Sequence, residues 1–145
     1  MSVLLVVRHS SAGDRAAWVG DDDERPLDDL GRRQAAWLVE VLSVRRVGRI
    51  LSSPAVRCVQ TVEPLAAARA VELEVEPALA EGASAAALSL VRDLGEPHSD
   101  VVLCSHGDVI GSLVGDGRPC RKGSVWVLER TPDGWQPSEY LKPRR

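Results

Sequence analysis

Ser2-Val3-Leu4-Leu5-Val6-Val7-Arg8-His9 near the N-terminus and Asp100-Val101-Val102-Leu103-Cys104-Ser105-His106-Gly107 late in the chain share one design. Each is an apolar run dominated by Leu and Val that ends abruptly in a polar segment carrying a histidine. An apolar run of this length, without alternation, is the pattern of a strand buried on both faces. Such strands lie inside mostly parallel sheets covered by helices, so the pair sets the fold class before the rest is read.

The intervening segments agree. Ser10 to Arg25 is polar, with Gly13, Gly20 and Asp21-Asp22-Asp23, and reads as a long surface loop. A helix follows, with Asp28 or Asp29 as its cap and Gln34, Leu38, Val41 and Leu42 on one face. Arg49 to Ser52 is a second strand, and Pro54 stands at the first turn of a helix reaching about Ala68. Val71 to Val75 alternates as a strand with one exposed face does. Pro77 to Gly82 is a loop, Ser84 to Leu94 a helix, and a short helix to about Val114 follows Gly107. Ser124 to Arg130 and Trp135 to Leu141 form a terminal hairpin around Thr131-Pro132-Asp133-Gly134. Strands alternating with helices imply an α/β fold of layers around a mostly parallel sheet, and the absence of repeats and linkers implies one domain over residues 1–145.

Composition narrows the function. A net charge of -3 and an aromatic content of 3% argue against nucleic acid and against an anionic membrane, which need basic surfaces and, for single strands, stacking rings. Cys58, Cys104 and Cys120 are an odd set without CxxC spacing, which reads as free thiols in a reducing compartment. The apolar run Val3 to Val7 is too short for a leader or a membrane span, so a cytoplasmic location is expected.

The chemistry concentrates at strand ends. In open α/β sheets, ligands bind beyond the carboxyl ends of the strands, and two of the three histidines stand there. The third, His98, falls in a polar turn. A neutral imidazole is a competent nucleophile near pH 7. Arg8 directly precedes His9, and Leu51-Ser52-Ser53-Pro54-Ala55-Val56-Arg57 places another guanidinium at a strand-to-helix turn. Arginine is suited to phosphate oxygens through its forked donors. Asp21 to Asp23 read as a solvated acidic stretch rather than a Mg²⁺ site, so no metal and no cofactor is expected.

Arg8-His9, Ser53-x-x-x-Arg57-x-x-Gln60-Thr61 and Ser105-His106-Gly107 together resemble the histidine phosphatase superfamily, over residues 3 to about 128. The short length is similar to the compact SixA-like phosphohistidine phosphatases. Trp18-x-Gly-Asp-Asp-x-x-Arg25-Pro26-Leu27-Asp28-x-x-Gly31 and Arg121-Lys122-Gly123-Ser124-x-Trp126-Val127-Leu128 also resemble the phosphatase-like domain fused to some MutT-type Nudix hydrolases. The resemblance implies a phosphoglycerate mutase-like three-layer α/β/α sandwich without a cap domain. It implies His9 as nucleophile, with Arg8, Arg57 and His106 on the phosphoryl oxygens and Ser53 and Gly107 as further phosphate-pocket residues. Glu81 matches the family's proton donor, with Glu76 close by as a competitor. The family usually has Gly or Ala where this chain has Ser10.

Three functions are therefore expected to compete. One is a metal-independent phosphatase for phosphohistidine in a partner protein. Another is a phosphatase for a small phosphorylated metabolite or nucleotide, with Arg15, Arg25, Arg121 and Lys122 on further phosphates. The third is a non-catalytic phosphate-binding interaction module.

Overall fold

The computed structural model describes residues 2–144. Its six strands are β1 (Leu4–Arg8), β2 (Val47–Ser52), β3 (Leu73–Val75), β4 (Asp100–Ser105), β5 (Val125–Thr131) and β6 (Gly134–Leu141). They form one sheet in the order β3-β2-β4-β1-β5-β6. The first four in that row run parallel, and the β5–β6 hairpin is added antiparallel to β1. β1 and β4 thus lie side by side near the middle, as their unbroken apolar runs require.

The helices are α1 (Asp29–Val41), α2 (Val56–Arg69), α3 (Ser84–Asp93) and α4 (Gly107–Val114). Alternation along β1 divides the core in two. Val3, Leu5 and Val7 pack with Leu38 and Leu42 at α1 and Cys58, Val62 and Leu65 of α2. Leu4 and Val6 pack with Ala87 and Val91 of α3 and Val109 and Ile110 of α4. The layers are α1/α2, sheet, and α3/α4, the three-layer sandwich expected. No helix among the described residues is long and apolar enough to cross a membrane.

Local chemistry explains the boundaries that matter for the site. Asp28 caps α1, with Gly31 N–H donating to Oδ1 at 2.7 Å. Its other oxygen accepts from Ser11 Oγ at 2.7 Å and from Gly13 N–H at 3.0 Å, so the same carboxylate ties down the loop after β1. Those three bonds outweigh the effect of burial and hold the Asp28 carboxyl below the usual carboxylate range. Pro54 does not begin α2. Ser53 Oγ accepts from Ala55 N–H at 3.3 Å, Pro54 lies in a bend, and the helix starts at Val56. β3 is shorter than the alternation suggests, because α2 ends on Ala70 in the left-handed conformation (φ 53°) and pairing resumes only at Leu73.

Candidate active site

Register builds the site. Val7 pairs with Cys104 and Arg8 with Ser105, so the next residues, His9 and His106, leave neighbouring strands side by side. His9 N–H donates to Ser105 O at 3.1 Å, and the two imidazole centroids are 5.5 Å apart. Ser52 pairs with Cys104 on the other side of β4, and Ser53 N–H donates to Cys104 O at 2.9 Å. That pairing puts Ser53 and the start of α2 next to His106. A cavity of about 200 Å³ opens at this edge, lined by Arg8, His9, His106 and Gly107 together with Gly13, Arg15, Arg25, Glu81 and Lys122.

His9 is 5% exposed, and its Nδ1 lies 2.9 Å from Ser10 O. A carbonyl only accepts, so Nδ1 carries the hydrogen and Nε2 keeps the lone pair. Burial pushes the His9 pKa down to about 3, with Arg57, His106 and Arg8 adding to the fall and the Ser10 carbonyl opposing it. The imidazole is therefore neutral at pH 7, with a free pair on Nε2.

His106 is also buried, and it caps α4. Its Nε2 lies 2.8 Å from Ser53 Oγ and 3.6 Å from Cys58 Sγ, while Nδ1 lies 3.5 Å from Arg57 Nη2. The Ser53 hydroxyl thus meets the back of the His106 ring. Ser10 is fully buried, its N–H donating to Thr61 Oγ1 at 2.8 Å. The Ser10 hydroxyl, Arg8 Nε and Arg57 Nε are buried without a partner. Gly107 lies so close to Arg8 that a Cβ there would stand 3.3 Å from the guanidinium carbon. Arg8 itself donates from Nη1 to Cys120 O. Donors held in place this way, without side-chain slack, suit an anion.

Arg8, His9, Glu81, His106 and Gly107 line one cavity, Ser53 and Arg57 pack against His106, and the structure adds one residue the sequence reading missed. Asp21 to Asp23 are not simply a solvated acidic stretch. Asp21 caps a short 3-10 turn over Asp22–Glu24, which turns Asp22 inward. Asp22 Oδ2 reaches Arg57 Nη2 at 3.2 Å and Arg15 Nη2 at 3.2 Å, and Oδ1 accepts from Arg25 Nε at 2.9 Å. The bond from Arg25, with the charges of Arg57 and Arg15, holds the Asp22 carboxyl below its ordinary range. Glu81 accepts from Arg15 Nη2 at 2.9 and 3.1 Å and lies 3.7 Å from Arg57. Arg25, 5% exposed, is held by Asp22 and by the Ala12 carbonyl. Arg121 does not line the cavity, whereas Lys122 does. The one sequence signal for Asp22 was its position three residues before Arg25, the spacing of an ion pair across one turn.

A family model described as the histidine phosphatase superfamily (branch 1) matches residues 4–87, more than half of the chain. The chain belongs to that superfamily. The matched span holds His9, Asp22, Arg57 and Glu81 and stops before His106. The curated 8-oxo-(d)GTP phosphatase of Mycolicibacterium smegmatis (strain ATCC 700084 / mc(2)155) is 38% identical over 155 residues, covering 97% of this chain and 48% of that protein. The chain therefore spans about half the length of this relative. Among solved structures, the protein histidine phosphatase SixA complexed with tungstate superposes with a TM-score of 0.76 at 18% identity, over 97% of this chain and 96% of that one. A phosphoserine phosphatase from Entamoeba histolytica, in complex with 3-phosphoglyceric acid, superposes with a TM-score of 0.81 at 14% identity, over 99% and 98%. These two likenesses concern the fold.

Proposed function

We propose that the protein is a phosphatase in which His9 forms a transient phosphohistidine. The observation that carries this reading is the fixed tautomer of His9, which leaves Nε2 unprotonated at neutral pH in a cavity lined by Arg8 and His106. Nε2 attacks phosphorus and the bond to the leaving group breaks. Glu81 gives that group a proton, then takes one from the water that cleaves the N–P bond and releases orthophosphate. Arg8, Arg57 and His106 hold the phosphoryl oxygens. Gly107 keeps room beside Arg8. Ser53, proposed from the sequence as a phosphate ligand, acts instead through the His106 ring. Side chains fill the cationic roles, so activity is expected in EDTA.

For the substrate, the reading favoured is phosphohistidine on a partner protein. The support is the short span from Glu81 to His106, which is filled by α3 and β4 and leaves no lid over the cavity. A second reading, a small phosphorylated metabolite or nucleotide, is favoured by the 38% identity across 97% of the chain and by Lys122 at the cavity wall, which could meet a further phosphate.

The test is brief mixing with labelled substrate in EDTA and a quench in alkaline detergent. Acid-labile, base-stable label on the wild type and none on His9→Ala is the expected result. Turnover without such label would remove the covalent route. A panel containing a phosphohistidine protein domain and nucleoside di- and triphosphates then separates the two substrate classes.

A further inference from the structure

Arg57 is the most buried cation of the site, at 0% exposure, and its outward nitrogen is already occupied. Nη2 faces Asp22 Oδ2 at 3.2 Å, Glu81 Oε1 at 3.7 Å and His106 Nδ1 at 3.5 Å. The cavity lined by Arg8, His9 and His106 stops short of Arg57, because Asp22 and Glu81 cover it. We propose that Asp22 is an affinity- and specificity-determining residue of the phosphate site. Its carboxylate holds the place on Arg57 Nη2 that a phosphoryl oxygen takes when substrate binds, so binding is an exchange of anions. This inference rests on the phosphatase reading above and names the anion its site selects.

The neighbouring bonds make the exchange feasible. Arg57 Nη1 also donates to the main-chain carbonyl of Asp22 at 2.7 Å, a bond that does not depend on the side-chain charge and keeps the guanidinium oriented. The displaced carboxylate is not stranded, since Arg25 Nε at 2.9 Å and Arg15 Nη2 at 3.2 Å remain to receive it. Arg15 is 56% exposed along its side chain, so its ion pairs rearrange at small cost. A carboxylate carries one charge on a planar group. A phosphate monoester carries about two charges on a tetrahedral one and engages Arg8 and His106 at once. The dianion wins the exchange, whereas a monoanion such as a phosphodiester meets Asp22 on equal terms. Asp22 thus selects for a terminal, doubly charged phosphoryl group.

The experiment is calorimetric titration of orthophosphate into the wild type, Asp22→Asn and Asp22→Ala, each shown to be folded by circular dichroism. Asp22→Asn keeps the main-chain bond to Arg57 and removes the competing charge. Apparent affinity scales with the fraction of molecules whose seat is free, so both variants are expected to bind orthophosphate about three- to tenfold more tightly. KM for a small aryl phosphate falls in parallel, and hydrolysis of the matching aryl phosphodiester rises relative to it. In the unmutated protein, the carboxyl carbon resonance of Asp22 should shift in step with the phosphate titration, which keeps the inference testable if a variant fails to fold. Equal or weaker binding by the folded variants, or an Asp22 resonance unmoved by bound phosphate, overturns the exchange alone. Absence of orthophosphate binding from wild type and variants together overturns the phosphatase reading with it.

Discussion

A single carbonyl decides the chemistry available to His9. Ser10 O fixes the hydrogen on Nδ1, and burial keeps a second proton off the ring. Ser53 does a similar thing for His106 from the opposite side. Arg57 Nη2 is a donor only, so a neutral His106 accepts on Nδ1 and carries its hydrogen on Nε2, toward Ser53 Oγ at 2.8 Å. The substitution Ser53→Ala leaves that N–H with only Cys58 Sγ at 3.6 Å. An unsatisfied buried donor costs about 1–3 kcal/mol. The expected outcome is a fall of roughly tenfold or more in kcat, with KM little changed, since the hydroxyl touches the ring and not the cavity. Full activity in a folded Ser53→Ala protein would show that His106 needs no such support.

At the scale of elements, the loop between β1 and α1 does most of the positioning, and Gly31 shows how tightly it is held. A Cβ at Gly31 would stand 1.9 Å from Ser11 O, a main-chain atom that cannot swing aside. Helix propensity alone favours Gly31→Ala by about 1 kcal/mol. Forced overpacking costs typically about 1–3 kcal/mol, and here it also breaks the Asp28 tether to Ser11 and Gly13. The clash wins, so Gly31→Ala should lower the urea midpoint, and a raised midpoint would contradict it. The strands, helices and hairpin were legible because hydrophobic period and turn residues are local signals. His9 and His106 were legible because each ends an apolar run. Asp22 was not, because nothing periodic in residues 10–25 tells which carboxylate of three turns inward; that depends on arginines 15 and 57, one inside the loop and one far beyond it. The start of α2 was misjudged for a related reason, since Ser53 Oγ captures Ala55 N–H ahead of the helix.

Across the whole molecule, the sheet order puts β4 between β1 and β2, so three segments distant along the chain deliver His9, Ser53 and His106 to one edge. Gathering several cations and a buried imidazole there has a thermodynamic consequence. In the fold, His9 takes up a proton only near pH 3, whereas an unfolded imidazole does so near 6.5. Above pH 6.5 both states are neutral at this ring and it contributes no pH dependence. Below 6.5 the unfolded chain binds the proton that the folded one refuses, so stability falls with pH at up to about 1.4 kcal/mol per pH unit. Asp22 and Asp28 work at lower pH. Their carboxyls are held below the ordinary aspartate value of 3.8, so their stabilisation is present above that pH and is lost as pH falls through their folded values. The window from pH 6.5 down to about 4 therefore belongs to His9 among these groups. Urea unfolding of the wild type and of His9→Gln, which has no proton to gain, separates it from other titrations. The wild-type stability should decline across that window, and the His9→Gln curve should decline less by close to one proton's slope. Parallel curves would mean that the imidazole titrates in the fold as it does in the open chain, and the burial that keeps Nε2 free would then not be operating.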